Sequence, residues 1–362
     1  MQVALLGTGL IGGSVGMALR AAGHVVIGFD RNLDAAQTAV EVGACDRYVE
    51  RVIDAVVGCD LAIVAVPLSA ESTLVLEALR AGAPAVTDVG SVKHATTVAV
   101  CDEAPELAAR YVGGHPMAGS EQEGIGAARP DLFSGAVWIL TPHPDTDPDV
   151  FAVVQHCATE CGAETIAVSP QRHDELVALV SHVPQIASTT LMNVAAHAGS
   201  DDGILLRLAA GGFRDMTRIA ASNPVIWPDI CIDNREAILR ALDAYERQLA
   251  LARTLIESQD RAGLHAMLTE ARHARQNLPR GFAVAGPVAE VRVPVPDRLG
   301  VLAEVTTVAG ELGINIGDLE IAHSIEGDRG VLVVLVAHTQ AQAFVGALHE
   351  RGYRPAVVEL DS

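Results

Sequence analysis

Val3-Ala4-Leu5-Leu6-Gly7-Thr8-Gly9-Leu10-Ile11-Gly12, close to the start of the chain, sets a glycine loop between an apolar run and a helical pattern. In that setting a G-x-G-x-x-G spacing carries weight that it lacks alone. Gly7 suits a tight turn, Gly9 lets a pyrophosphate approach backbone N–H groups, and Gly12 lets helix and strand pack closely; Thr8, Leu10 and Ile11 complete the loop. A second apolar run ends at Asp30, 23 positions after Gly7. A carboxylate there can hydrogen-bond an adenosine ribose and repel a 2′-phosphate, so NAD is expected over NADP. Arg31 argues the other way if it turns inward, since a guanidinium accepts phosphate. Val66 and Pro67 are assigned to the same cofactor site. The alternative is a strand-to-helix turn that binds nothing.

Outward from this loop, short apolar runs recur at 3–6, 25–29, 61–66, 85–87, 111–112, 137–140 and 165–168, with helical stretches between them. The rhythm predicts an α/β fold: a Rossmann-type, doubly wound parallel sheet over 1–168, wrapped by helices. From 169 to 284 strand signals vanish, which predicts an all-helical domain. Its amphipathic stretches, such as 237–256, suit a second subunit as well as a core. After the Gly- and Pro-punctuated segment 281–287, the pattern over 288–362 becomes strand, helix, strand, strand, helix, strand. Strands are expected at 288–293, 314–322 and 330–337, the last two joined by Glu326-Gly327-Asp328. Helices are expected at 299–312, with Leu302, Val305, Val308 and Leu312 apolar, and at 341–351. A βαββαβ order predicts a small ferredoxin-like module.

Composition narrows the function. The 362 residues are 50% hydrophobic, with 25 Lys and Arg against 45 Asp and Glu, a formal charge of −20. Such a charge repels nucleic acid and anionic membranes, and makes any arginine-rich motif informative. The opening residues carry no basic leader, and 176–198 is interrupted by Ser181, His182, Gln185 and Asn193, so a cytoplasmic protein without a membrane span is expected. The six cysteines lack C-x-x-C pairing, which points to plain thiols rather than a disulfide framework or a metal site.

Asp88-Val89-Gly90-Ser91-Val92-Lys93 and Gly114-His115-Pro116-Met117-Ala118-Gly119-Ser120-Glu121 fall at strand ends, where doubly wound sheets hold ligands. They bring a hydroxyl and an imidazole toward the cofactor, as oxidation of a carbinol requires. Further on, Gly211-Gly212-Phe213-Arg214-Asp215-Met216-Thr217-Arg218 puts two arginines four apart, on one face if helical. Arginine forks bind carboxylates bidentately; the other reading is an internal Arg214–Asp215 pair.

With Ser181-His182-Val183-Pro184 and the run from Gly211 to Trp227, these motifs resemble the prephenate and arogenate dehydrogenase family over nearly the whole chain. The resemblance implies oxidation at C4 of a cyclohexadienyl ring by NAD⁺, with loss of the C1 carboxylate as CO₂, in tyrosine biosynthesis. It assigns proton abstraction to His115, its orientation to Ser91, and the grip on the ring carboxylate to Arg218. Ser181, Gln185, Gly211, Arg214 and Trp227 would line the substrate pocket, partly from a neighbouring subunit of a homodimer. Many prephenate-using members have histidine at the position of Gln185, so prephenate and arogenate both remain open. The C-terminal module resembles an ACT domain, with an effector such as L-tyrosine expected at Asp297, Leu299, Gly300, Asn315 and Ile316. Many ACT domains have proline at the position of Leu299, and a purely structural module is the alternative. Two rival readings are a β-hydroxyacid dehydrogenase or imine reductase, and a silent NAD- and amino-acid-binding regulator.

Overall fold

The computed structural model describes residues 1–118, 122–199, 209–277, 288–296, 298–323 and 329–359. Contacts divide the chain into two compact units, Met1–Arg253 and Thr254–Ser362.

The first unit holds an eight-stranded sheet: β1 (Gln2–Leu6), β2 (Val25–Phe29), β3 (Arg47–Val49), β4 (Leu61–Val64), β5 (Val86–Asp88), β6 (Tyr111–Pro116), β7 (Val137–Pro142) and β8 (Glu164–Ala167). Their order is β3-β2-β1-β4-β5-β6-β7-β8. Side chains alternate across the pleat, so Val3 and Leu5 enter one core with Val15, Leu19, Ile63 and Leu140. Ala4 and Leu6 enter the other with Ile27, Val64, Val75 and Leu79. Both faces are covered by helices, as near-continuous apolar strands demand.

The sheet departs from the all-parallel expectation at one seam, because β6 and β7 pair antiparallel and β8 follows β7. The described part of the connection between them has only the short 3₁₀ turn Ile125–Ala127, and a parallel return needs a full crossover helix. Two other differences are local. β3 is three residues long, two of them exposed, and left no apolar run to read. β6 runs on through Gly113-Gly114-His115-Pro116, so His115 lies on a strand, opposite Ile139 of β7.

Beyond β8 the unit is helical: Pro170–Val177, a π-helical turn Ala178–His182, Val183–Gly199, Gly211–Thr217, a 3₁₀ turn Arg218–Ala221, Trp227–Asp233 and Arg235–Glu257, the last extending past the unit boundary. Its own core is small, built on Ala178, Ala237 and Ile238. Leu179, Val180, Val194, Met216, Val225, Ile232 and Leu239 are left exposed.

The second unit contains the helix Arg261–Gln276 and a four-stranded antiparallel sheet ordered β10-β11-β9-β12. Its strands are β9 (Val288–Pro296), β10 (Asp318–His323), β11 (Arg329–Ala337) and β12 (Ala356–Glu359), with helices Val301–Glu311 and His338–Glu350 between them. This is the predicted βαββαβ module, cored by Val291, Val293, Val305, Val308, Val334, Phe344 and Leu348. β10 starts four residues later than expected, at Asp318. Asn315 and Ile316 therefore belong to the loop before it. The predicted turn at Glu326-Gly327-Asp328 lies outside the described residues.

Candidate active site

The loop after β1 is shaped for a dinucleotide. Gly7 has φ +104°, and a Cβ there would lie 2.3 Å from the Ala65 carbonyl oxygen; a Cβ on Gly12 would lie 2.1 Å from that of Gly7. At Gly9, by contrast, nothing among the described residues stands within 4 Å, so the approach to the helix Leu10–Ala21 is open. That helix start has neither a capping side chain nor an acidic residue in its first turn. Its free N–H groups suit an anion. Asp30 is tied to the loop, accepting from the Thr8 N–H at 2.8 Å and hydroxyl at 3.0 Å, and from the Asn32 N–H at 2.8 Å. A carboxylate has lone pairs to spare for ribose hydroxyls. Arg31 is exposed, Val66 packs beside the Gly7 turn, and Pro67 begins the approach to the helix Leu68–Arg80. These residues fit NAD.

Under the next loop sits a buried charge cluster. The Lys93 ammonium contacts Asp88 and lies 3.5 Å from Glu71, all three side chains being fully buried. The Tyr111 hydroxyl donates to Asp88, Thr96 donates to Glu71 at 2.9 Å, and the Gly90 N–H donates to Asp88 at 2.9 Å. Burial and the neighbouring Asp88 push the Glu71 carboxyl up, against the pull of Lys93. Burial works against the charge on Lys93, but the two carboxylates outweigh it and hold that group above its usual range. Removing one partner from such a cluster costs about 3–5 kcal/mol, so it fixes the loop that carries Ser91. Gly90 is part of the fit, because a Cβ there would meet the Glu71 carboxylate at 1.8 Å.

Three histidines gather at the end of β6. His115 Nδ1 is 2.8 Å from His173 Nε2, with the rings edge-on at 5.0 Å. His173 Nδ1 is 2.7 Å from Asp174 Oδ1. Asp174 also accepts from the Lys93 N–H at 2.9 Å and the His94 N–H at 3.0 Å, stitching the helix Pro170–Val177 to the loop after β5. His182 Nδ1 lies 3.2 Å from the amide of Asn234, which donates to the Asp174 carbonyl at 2.9 Å. Trp227 stands edge-on to His182 at 6.1 Å, its indole N–H buried without a partner among the described residues. Burial, then His173 and Lys93, hold His115 well below the ordinary histidine range. That direction favours the neutral ring, the form that can accept a proton.

Several expected residues fall elsewhere. Ser91 is half-buried, and among the described residues no hydrogen bond joins it to His115; His173 takes the ring's Nδ1 instead. Ser181 is half-buried in the π-helical turn. Gln185 is buried and engaged internally, accepting from the Ser222 hydroxyl at 3.2 Å and donating to Thr189 at 3.4 Å. Gly211, Arg214 and Arg218 are exposed, and among the described residues neither arginine is ion-paired with Asp215. Arg214 donates to the Ala209 carbonyl at 3.2 Å. Arg218 opens into a cavity of about 540 Å³ lined also by Val183, Ile219, Tyr245 and Gln248, and His115 is not among its walls. Gly119, Ser120, Glu121 and Asp297 lie outside the described residues. In the second unit Leu299 is fully exposed, Gly300 caps its helix at φ +87°, Asn315 is exposed and Ile316 half-buried.

His173, Asp174 and Glu71 carried no expectation from the sequence, and His182 entered only as part of the Ser181-His182-Val183-Pro184 motif. The one available signal was the His173-Asp174 dipeptide just inside a helix opened by Ser169-Pro170, where Ser169 accepts from the Arg172 N–H.

Residues 15–167 match the family model described as prephenate dehydrogenase, nucleotide-binding domain, and residues 169–270 the one described as prephenate dehydrogenase, dimerization domain. A prephenate dehydrogenase of Bacillus subtilis (strain 168) is 33% identical over 91% of this chain and 90% of its own length. Among solved structures, the prephenate dehydrogenase of Aquifex aeolicus in complex with hydroxyphenyl propionate and NAD⁺ superposes with a TM-score of 0.71 at 30% identity, covering 77% of this chain and 99% of that one. Synechocystis arogenate dehydrogenase does so with a TM-score of 0.68 at 31% identity, covering 77% and 100%.

Proposed function

The chain belongs to the prephenate dehydrogenase family, and from that premise we propose that it oxidises prephenate with NAD⁺ and releases CO₂ and the aromatic keto acid for tyrosine biosynthesis. The observation that carries the reading is the His115 imidazole, its Nδ1 held by His173, at the end of β6 in the sheet whose first loop forms a dinucleotide cradle. Bound NAD⁺ supplies the hydride acceptor for C4. His115 takes the C4 hydroxyl proton, and Ser91, in the loop fixed by Lys93, meets the substrate or cofactor rather than His115 Nδ1.

Arg218 grips the ring carboxylate, while Ser181, Gln185, Gly211, Arg214 and Trp227 complete the pocket. A second subunit supplies part of this wall, because the apolar residues exposed on the helical segment are those a homodimer covers, and two of them, Leu179 and Met216, line the cavity of Arg218. The working division is 1–168 for the cofactor, 169–284 for substrate and pairing, and 288–362 as an ACT-type regulatory module with L-tyrosine as effector. The protein acts in the cytoplasm; no helix among the described residues is long and apolar enough to cross a membrane.

Prephenate and arogenate share ring, carboxylate and C4 hydroxyl, so only the side chain can separate them. Gln185 is neutral and repels neither an ammonium nor a keto acid, and specificity often rests on such repulsion. Arg214 favours the doubly anionic prephenate. The expected outcome is NADH formation with prephenate as main substrate and measurable turnover of arogenate. A kcat/KM for arogenate well above that for prephenate would make the protein an arogenate dehydrogenase.

A further inference from the structure

Asp174, His173 and His115 stand in line, and the hydrogen bonds between them fix where each proton sits. Asp174 accepts two backbone N–H bonds, and a carboxylate can only accept. His173 therefore carries its proton on Nδ1, 2.7 Å from Asp174. Its Nε2 is a bare lone pair, and the 2.8 Å contact to His115 Nδ1 is a hydrogen bond only if His115 donates. His115 Nε2 is thereby left bare, as the atom that can take a proton from substrate.

The proposed reaction asks more of this base than one acceptance. Loss of hydride and of the hydroxyl proton turns the C4 carbinol into a ring ketone. Loss of CO₂ from C1 then sends its bonding pair through the ring onto that oxygen, giving a phenoxide that needs a proton. Prephenate dianion plus NAD⁺ balances against the keto-acid monoanion, CO₂ and NADH with no proton released. The proton removed first is the proton required last.

We propose that His173 stores that proton in the interval: His115 Nε2 accepts from the hydroxyl, the Nδ1 proton of His115 passes to His173 Nε2, and the transfers reverse onto the phenoxide. This rests on the reading of the reaction given above. His115 is a poor place to keep a positive charge, since it faces His173, Lys93 of the loop after β5 and His182 of the π-helical turn, and among the described residues it touches no carboxylate. His173 has Asp174 in direct contact. Lys93 is matched by Asp88 and Glu71, so its charge does not draw on Asp174 alone.

Two measurements test the store. Long-range ¹⁵N–¹H spectra of the full chain, labelled at histidine and free of substrate at neutral pH, should show His115 protonated at Nδ1; protonation at Nε2 would overturn the proposal. In His173→Gln the carboxamide oxygen can still accept from His115 Nδ1 but cannot take a proton. Its kcat with prephenate should fall roughly tenfold or more with KM little changed, and the acid limb of the kcat profile should move down by about one unit. An unchanged kcat and pH profile would refute the store while leaving the dehydrogenase reading intact. Absence of any turnover in the unaltered protein would remove that reading and the store with it, whereas the spectrum would still report the hydrogen-bond line.

Discussion

His182 shows how one residue couples the site to stability. Burial, reinforced by His173 and opposed by Asp174, brings its pKa down from 6.5 to about 4. The folded value lies below the unfolded one, so unfolding takes up a proton between them. The stability is complete above about pH 6.5 and drains away as the pH falls toward 4, by up to roughly 3 kcal/mol for this residue alone. His115, shifted the same way, adds to the loss. Urea midpoints taken at pH 7 and pH 4.5 should therefore separate clearly in the unaltered protein and less in His182→Gln; a midpoint that rises on acidification would contradict this. Residues of this kind were the hardest to read in the sequence. Asp30 announced itself by following an apolar run, but His173 lies 58 positions from His115, and only the packing of Pro170–Val177 beside β6 makes them partners. Glu71 looked like any surface carboxylate of a helix until Lys93 and Gly90 closed over it.

At the level of elements, legibility followed apolar content. The runs that became β1, β2 and β4 were plain because both faces of a buried strand must be apolar. The second half of β6 was not, since Gly113-Gly114-His115-Pro116 has no strand propensity and is held by its register with β7. The reversal at β7 was illegible for a different reason: direction depends on the connection, and the sequence between 117 and 136 has no strong periodicity. The C-terminal module was legible as βαββαβ because its strands and helices change period sharply. Its proposed role yields a test at the same scale. L-Tyrosine should inhibit the whole chain, and a chain ending at Ala285 should remain active and lose that inhibition. Tyrosine also resembles the product and can compete at the active site, so inhibition that survives removal of 289–362 would sink the regulatory role without touching catalysis.

Across the molecule, the sequence separates the tasks. A sheet apolar on both faces supplies a rigid frame, the loops after β1 and β5 present a cofactor cradle and a locked turn, and helical segments bring Asp174, His182 and Asn234 to the end of β6. Arg218 opens into a cavity lined in part by the exposed Leu179 and Met216, which is why the substrate pocket is assigned to an assembly of two chains. The net charge of −20 leaves a doubly anionic substrate dependent on such local cations. The central claim is that His115 is the base in an NAD-dependent oxidation of prephenate, and the rate of NADH formation by His115→Asn beside the unaltered protein tests it most directly. With NAD⁺ binding retained, kcat should fall by roughly 10²–10⁴, the usual worth of a positioned general base. A variant that keeps the parent rate would contradict the account.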